Sequence, residues 1–441
     1  MYLLALIKRI EMRFDVVNLF NGIIWVSVGN VISSLATLSS SLILAKSLGA
    51  ELYGKYSLIQ STLAIFLVLS GPSLGFFATK HIAELQHENP KRTAALLEIS
   101  TMSVSVIGGV IGAIMLISSN YIAEAIMRAP DLKLEINLCA GVVFFTSVGS
   151  AQLGIISGFK EFKMIAVLNI TKGLLTFFLV VSGGYFYGIT GALGGLVVVA
   201  IAVYFLGNFY ISNIKDKYNL PSPLMSDTIA EIKSIFSFSL PNFLFSFVSS
   251  SANMLTYILL SRVDDGYMQL GIFNVANQYF LLLNFLPMII WQVTFPMLAN
   301  ASGGNEFRII KSAYRKLILF NILVISMLIG IAAPFARLLM MSIGKEFGAE
   351  VPTLIVTLIL AYFYSASNVA WQIMLIMDKV WISFWFVVIH SCILVTSFIL
   401  FESEGSYGLA IARLIAYSFY AVITIYYVEV TLKKRIKVGV A

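Results

Sequence analysis

Twelve stretches of the chain are long and apolar enough to cross a bilayer, at roughly 20–45, 55–78, 99–118, 136–158, 164–186, 188–211, 239–261, 268–298, 317–341, 352–377, 380–401 and 407–428. About 30 Å of hydrocarbon divided by ~1.5 Å of rise per residue asks for ~20 apolar residues in one helix. Several windows exceed that minimum, which predicts tilted or broken helices. The ten-residue alternation of an outer-membrane barrel is absent. The sequence therefore predicts an all-α polytopic membrane protein with twelve transmembrane helices, numbered here as spans 1 to 12. Composition agrees: 59% of residues are hydrophobic and 12% charged, against roughly 45–50% and about 25% in soluble domains. A soluble enzyme, a disordered chain and a coiled coil are all excluded.

Lysine and arginine set the orientation. Alternate loops, together with both chain ends, carry 20 of the 29 basic residues. The opposite loops carry Lys46, Lys55, Arg128, Lys133, Arg262 and Lys345. The bias puts both termini in the cytoplasm, as an even span count requires. It also accounts for the net charge of +7 without nucleic acid as a partner. The tail cluster Lys433, Lys434, Arg435 and Lys437 reads as topology-setting charge or as a contact for anionic membrane lipids. At the other end Lys8, Arg9 and Arg13 follow an apolar stretch rather than precede it, so no cleavable signal is expected. Residues 2–16 read as a short helix lying on the membrane surface.

All loops are short, the longest being 212–238. No glycine-rich phosphate loop or cofactor motif is present, so the chain cannot energise itself by hydrolysing nucleotide. Cys139 and Cys392 lie in apolar runs and offer neither a disulfide framework nor metal spacing. The pairs Gly108–Gly112 and Gly191–Gly195 predict close helix packing.

The two sets of six spans carry traces of duplication. Asn30 pairs with Asn242, Leu-Tyr-Gly-Lys-Tyr at 52–56 with Gln-Leu-Gly-Ile-Phe at 269–273, and Tyr187-Gly188 with Tyr407-Gly408. Spans 1 and 7 share a polar stripe. Asn30, Ser34, Thr37 and Ser41 fall on one helical face, and Asn242, Ser246, Ser249 and Asn253 repeat the spacing. Spans 2 and 8 add Gln60 and Asn277. An amide has four hydrogen-bonding valences to satisfy in hydrocarbon, so these residues either hold helices together or line a water-filled cavity.

Every Asp and Glu sits in a loop or at a span edge, whereas Lys172 and Arg413 lie inside spans 5 and 12. At depth each costs ~2.5–3.5 kcal/mol on insertion scales, so such residues normally face a cavity or a partner. A basic interior without acids predicts an anion site, with Arg413 gripping phosphate bidentately and Lys172 acting as a point charge. The alternative is snorkelling or bonding to carbonyl oxygens. His390, offset by 218 from Lys172, is a candidate carrier of a coupling proton, or else a neutral histidine bonded between helices. The five tryptophans are expected mainly as interface anchors.

Several runs resemble bacterial oligosaccharide and O-antigen flippases of the polysaccharide transporter family, within the multidrug/oligosaccharidyl-lipid/polysaccharide exporter superfamily. They are Leu-Gly-Ala-Glu-Leu-Tyr-Gly-Lys-Tyr at 48–56, Leu-Gly-Phe-Phe-Ala-Thr-Lys-His-Ile-Ala-Glu at 74–84, Gly-Ile-Ile-Ser-Gly-Phe-Lys-Glu-Phe at 154–162 and Leu-Gly-Ile-Phe-Asn-Val-Ala-Asn at 270–277. The resemblance implies a V-shaped transporter of two pseudo-symmetric six-helix bundles, here residues 1–211 and 239–441 joined by 212–238. It implies a non-enzymatic flippase whose cargo, a polyprenyl-pyrophosphate-linked oligosaccharide, moves from the cytoplasmic to the periplasmic leaflet by alternating access. A glycan polymerase and a chain-length regulator are the implied partners. On this reading Lys172, Arg413, Asn30, Ser34, Gln60, Asn242, Asn253 and Asn277 would touch the cargo. An ion-coupled exporter of drugs or other small molecules, from the same superfamily, is the competing reading. That relative usually carries carboxylates at depth, and this chain has none there.

Overall fold

The computed structural model describes residues 16–71, 73–85, 89–221, 232–304 and 306–438, and every regular element among them is helical. Ten helices are long and apolar enough to span a membrane. Two of these are broken in the middle, which brings the number of spans to twelve. Val16–Leu69 carries spans 1 and 2 and breaks at Gly49, where φ is 78°. Phe162–Lys217 carries spans 5 and 6 and breaks at Tyr187 and Gly188. A left-handed φ is open to glycine because it has no Cβ to clash with the following carbonyl. The remaining spans are Pro90–Ile117, Lys133–Gly158, Ile232–Leu260, Gly266–Gly303, Phe307–Ala332, Val351–Ile376, Val380–Leu400 and Gly405–Val438.

Three boundaries differ from the sequence reading. Span 2 stops at Leu69, and a separate helix, Ser73–Leu85, follows it. Gly71 takes φ 89° just before Pro72, and a proline ring disfavours helical conformation in the residue ahead of it. The connection between the halves is shorter than 212–238, since helix continues to Lys217 and resumes at Ile232. The surface helix expected at 2–16 lies outside the described residues apart from its last position, as do 222–231.

The duplication is clearer in the backbone than in the side chains. At the end of span 4 the amides of Phe159, Lys160 and Glu161 donate to the carbonyls of Ile155, Ser157 and Ile156. At the end of span 10 those of Met377, Asp378 and Lys379 donate to Ile373, Leu375 and Met374. Every partner is shifted by 218. Both are left-handed C-terminal caps, with Lys160 and Asp378 each at φ 59°. The break at Gly188 (φ 62°) is matched by Gly405 (φ 57°), an offset of 217. That corrects the pairing of Tyr187-Gly188 with Tyr407-Gly408: the partner of Gly408 is Gly191. A methyl group on either of these would strike a backbone carbonyl, Phe401 O at 2.0 Å or Gly183 O at 2.1 Å.

The halves share apolar cores at one end and keep separate cores at the other, where Ser73–Leu85 still touches Ile232–Leu260. Leu58, Ile59 and Ile136 of the first half pack in one cluster with Tyr257, Leu270 and Phe273 of the second. Ala45, Ala50 and Tyr53 join Ile272, Phe280 and Leu354 in another. Towards the opposite end, Ile82, Leu97 and Ile155 form a core within the first half, and Ile310, Ile373 and Leu432 one within the second. This is the V of the expected architecture. Gly54 and Gly271 mark its vertex, where the backbones of spans 2 and 8 nearly touch. A Cβ on Gly54 would come within 1.8 Å of Tyr267 O, and one on Gly271 within 1.9 Å of Ala50 O. The two contacts are related by the same offset of 217, and they explain why the segments at 52–56 and 269–273 both carry glycine.

A polar latch crosses the vertex. Glu346, from the second half, accepts a hydrogen bond of 2.7 Å from the amide of Ala50 in the first. It thereby caps the helix that restarts after Gly49. The Tyr267 hydroxyl donates across the vertex to the carbonyl of Met127. Loss of a capping side chain costs about 0.5–2 kcal/mol. Glu346→Ala is therefore expected to loosen this end, and Glu346→Gln, whose amide oxygen still accepts, to preserve most of the contact. Hydrogen exchange of the Ala50 amide in both variants checks this; equal protection in Glu346→Ala and the parent would contradict it.

Candidate functional site

A cavity of about 650 Å³ lies between the halves. Ser34, one of its walls, is fifteen residues before Gly49, hence ~22 Å along the helix from the break. One wall is built from Ser33, Ser34 and Thr37 of span 1 with Lys172 and Thr176 of span 5. The facing wall carries Gln278 and Asn284 of span 8, Asn321 of span 9, and Ser365, Asn368 and Gln372 of span 10. Lys172 is exposed to this space, and among the described residues that line it no other side chain is charged.

The facing wall is short of partners. Asn321 is 4% exposed and Ser365 3%. The side-chain oxygens of Asn284, Asn321, Ser365 and Gln372 have no hydrogen-bond partner among the described residues. Buried polar atoms are almost always satisfied, so four orphans on one wall indicate a surface built to meet water or ligand hydroxyls.

Two smaller cavities flank the central one. In the first half, about 330 Å³ is enclosed by Gln60, Gln152 and Asn169, and Lys172 lines this space too. In the second, about 260 Å³ is enclosed by aromatic rings together with His390. Glu135, the one buried carboxylate among the described residues, sits in the first turn of span 4 and accepts from the Thr190 hydroxyl. The residues lining the three cavities include no acid.

Of the residues singled out from sequence, Lys172 and Ser34 line the central cavity and Gln60 the one beside it. Asn30 accepts a 2.7 Å hydrogen bond from Asn169 Nδ2, which ties span 1 to span 5. Asn242 is half-buried and is not a wall of the three cavities.

Arg413 departs from expectation. It is 8% exposed and donates to Asn277 Oδ1 at 3.0 Å and to Asn253 Oδ1 at 2.8 Å. Its guanidinium carbon lies 4.7 Å from the centre of the Phe273 ring. Arg413, Asn253 and Asn277 thus form one neutral-ligand cage joining spans 12, 7 and 8, and none of the three lines the cavities described. In this conformation Arg413 clamps spans 12, 7 and 8 together. Its two Nη groups reach amides that the sequence left open as helix contacts or cavity lining, while its Nε has no partner among the described residues.

His390 is 3% exposed, and neither ring nitrogen has a partner among the described residues. The reading of a histidine bonded between helices is therefore not what the structure holds. The tryptophans also divide. Trp25, Trp381 and Trp385 are exposed, as anchors would be, but Trp291 lines the central cavity and Trp371 the aromatic pocket. Sequence reasoning missed these two and the amides of the facing wall. The spacing of Ser365, Asn368 and Gln372 at i, i+3 and i+7 was the available signal.

The family described as "Polysaccharide biosynthesis protein" matches residues 19–302. A segment of 91 residues is 26% identical to a protein of Ralstonia nicotianae named EPS I polysaccharide export inner membrane protein EpsE. It covers 21% of this chain and spans about a fifth (21%) of that protein. Among solved structures, a multidrug-resistance MATE transporter of the MOP superfamily in an inward-facing conformation superposes with a TM-score of 0.80 at 14% identity, covering 94% of this chain and 99% of that one. An outward-facing structure gives 0.73 at 14% identity, covering 94% and 96%. A MOP-superfamily transporter of Pyrococcus furiosus, described as having a binding pocket of reverse polarity, gives 0.68 at 14% identity over 95% and 96%. These likenesses establish the transporter fold.

Proposed function

Because the chain belongs to the polysaccharide biosynthesis protein family and folds as a twelve-span transporter, we propose that it flips a polyprenyl-pyrophosphate-linked oligosaccharide across the bacterial inner membrane. The cargo enters from the cytoplasmic side and leaves in the periplasmic leaflet, where a glycan polymerase and its chain-length regulator would receive it. The observation that carries this reading is the pairing of Lys172 with the opposite wall of orphaned amides. A lysine at depth with no carboxylate beside it is offset by an anion, and a pyrophosphate supplies one. Sugar hydroxyls both donate and accept, as amide oxygens and nitrogens require. The lipid tail stays in the bilayer, so the cavity has to accommodate only the head.

The positive-inside bias supports a vertex, at Gly54 and Gly271, on the periplasmic side. The cavity then opens towards the cytoplasm, and parting of the vertex would release the cargo outward. Export of cationic drugs fits less well, because Lys172 repels such a cargo and no lining residue attracts it.

The test uses purified protein in vesicles holding a fluorescently tagged undecaprenyl-pyrophosphate oligosaccharide, with flipping read by access to an external glycosidase. A charge-assisted hydrogen bond is worth about 1.5–3 kcal/mol, or roughly 10–150-fold. Lys172→Gln is expected to slow flipping at least tenfold and Lys172→Arg much less. Full activity in Lys172→Gln would remove the pyrophosphate site, and no flipping by the parent protein would remove the function.

A further inference from the structure

The pocket inside the second half has chemistry that the phosphate site does not use. Trp371, Tyr364, Tyr417 and Tyr420 supply aromatic faces, and His390, Asn368 and Ser367 supply polar atoms. The Trp371 ring stacks on Phe245 at 5.3 Å between centroids. His390 sits 4.5 Å from the Tyr417 ring and 5.3 Å from that of Tyr420. Packing fixes these rings in place, while polar tips among them go unused. Both nitrogens of His390 and the hydroxyl of Tyr420 are buried without a partner. His390 is 3% exposed and Tyr420 6%. The pocket also communicates with the central cavity, because Tyr364 and Asn368 line both.

Aromatic faces ringed by unused donors and acceptors suit a ligand that is apolar on its flat faces and hydroxylated at its rim. A pyranose ring has that character. Its axial C–H bonds lie against aromatic rings, and its hydroxyls reach polar atoms at the edge. At roughly 30 Å³ per water, the pocket's 260 Å³ equals about nine waters, which is room for one such ring. The lining residues include no carboxylate to receive a proton from His390 or to hold a metal cation. We infer that the His390 pocket is a subsite for one neutral sugar ring of the cargo, entered from the central cavity past Tyr364 and Asn368. This rests on the flippase reading and deepens it: Lys172 holds the part common to all such cargo, and the His390 pocket tests the sugar.

Purified protein in lipid nanodiscs is probed with the methyl glycosides of glucose, galactose, rhamnose and N-acetylglucosamine by ligand-observed saturation-transfer NMR. At least one is expected to bind with millimolar affinity. His390→Phe, which fills the pocket, should weaken it tenfold or more, and Tyr420→Phe, which keeps the shape, severalfold. Lys172→Gln should leave it unchanged. Undecaprenyl pyrophosphate without sugar is the second probe, expected to bind the parent and His390→Phe equally and to lose affinity in Lys172→Gln. If no glycoside binds, or if His390→Phe binds as the parent does, the subsite is overturned while the flippase reading stands. If glycosides bind His390-dependently but undecaprenyl pyrophosphate does not bind at all, the subsite is upheld and the lipid-linked cargo is overturned. A sodium-dependent rise in Tm that His390→Phe abolishes, with no glycoside bound, would make the pocket a cation site and overturn the proposal.

Discussion

Adding one methyl group at Gly54 or Gly271 is expected to abolish transport while leaving each half folded. The added carbon would stand 1.8 Å or 1.9 Å from a carbonyl oxygen of the other half, well inside van der Waals contact, and backbone cannot move aside as a side chain can. Overpacking costs about 1–3 kcal/mol, and each ~1.4 kcal/mol is tenfold in an equilibrium. The clash is relieved when the halves part, so the cost falls on the closed vertex rather than on folding. Gly191→Ala makes the contrast, since its obstruction, Gly183 O at 2.1 Å, lies in the same half. It should lower Tm without opening the vertex. The readout is a cysteine at Thr37, a cavity wall, in a background with Cys139 and Cys392 replaced by alanine, labelled from outside by an impermeant thiol reagent. Gly54→Ala is expected to raise the labelling rate at least tenfold and to stop flipping. Unchanged labelling and flipping in both Gly54→Ala and Gly271→Ala would mean the vertex is not a gate.

That vertex was partly legible. The paired segments at 52–56 and 269–273 were visible as a repeat, because a Gly flanked by large residues survives duplication. Their role was not, because what fixes each Gly is a carbonyl two hundred residues away, and no local periodicity reports such a contact. The twelve spans could be read directly from hydropathy, since in hydrocarbon only length and apolar content decide the matter. The breaks at Gly49 and Gly188 fall on the boundaries between those windows, at 46–54 and 187–188; what hydropathy does not report is that helix resumes there with no loop between. The cavity walls divided along the same line. Lys172 stood out because charge at depth is costly, whereas Asn284, Asn321 and Gln372 belong to no stripe repeated between the halves and were not singled out. Span 7 shows the converse. Its stripe places Asn253 and Ser249 on one face, which reads either as helix contact or as cavity lining, and a buried guanidinium from span 12 takes the Asn253 oxygen. Sequence spacing gives the face of a helix and not its occupant.

The two intramembrane cations should therefore respond to neutralisation in opposite ways. Removing the Arg413 head strands the Oδ1 atoms of Asn253 and Asn277 that now accept from it. A buried acceptor left without its donor costs about 1–3 kcal/mol, and the loss of the Phe273 and Tyr257 ring contacts adds about 0.5–2 kcal/mol. Relief of the guanidinium's own desolvation works against this, since a buried ion costs several kcal/mol that its neutral ligands repay only in part. The cage supplies two amide acceptors and two ring faces, so the balance is set on the side of retention. Arg413→Met is expected to lower the Tm of the purified protein by about 5–10 °C, at roughly 2–4 °C per kcal/mol for a long chain. Lys172 accepts no such obligations. Its wall mates are hydroxyls, and no carboxylate lines the space it enters. Lys172→Met should leave Tm unchanged or raise it, while flipping falls at least tenfold. Thermal unfolding followed by intrinsic fluorescence, run beside the vesicle assay, separates the two roles. A fall in Tm for Lys172→Met equal to that for Arg413→Met would make Lys172 a structural cation, and undiminished stability in Arg413→Met would free Arg413 to serve as the second phosphate ligand after all.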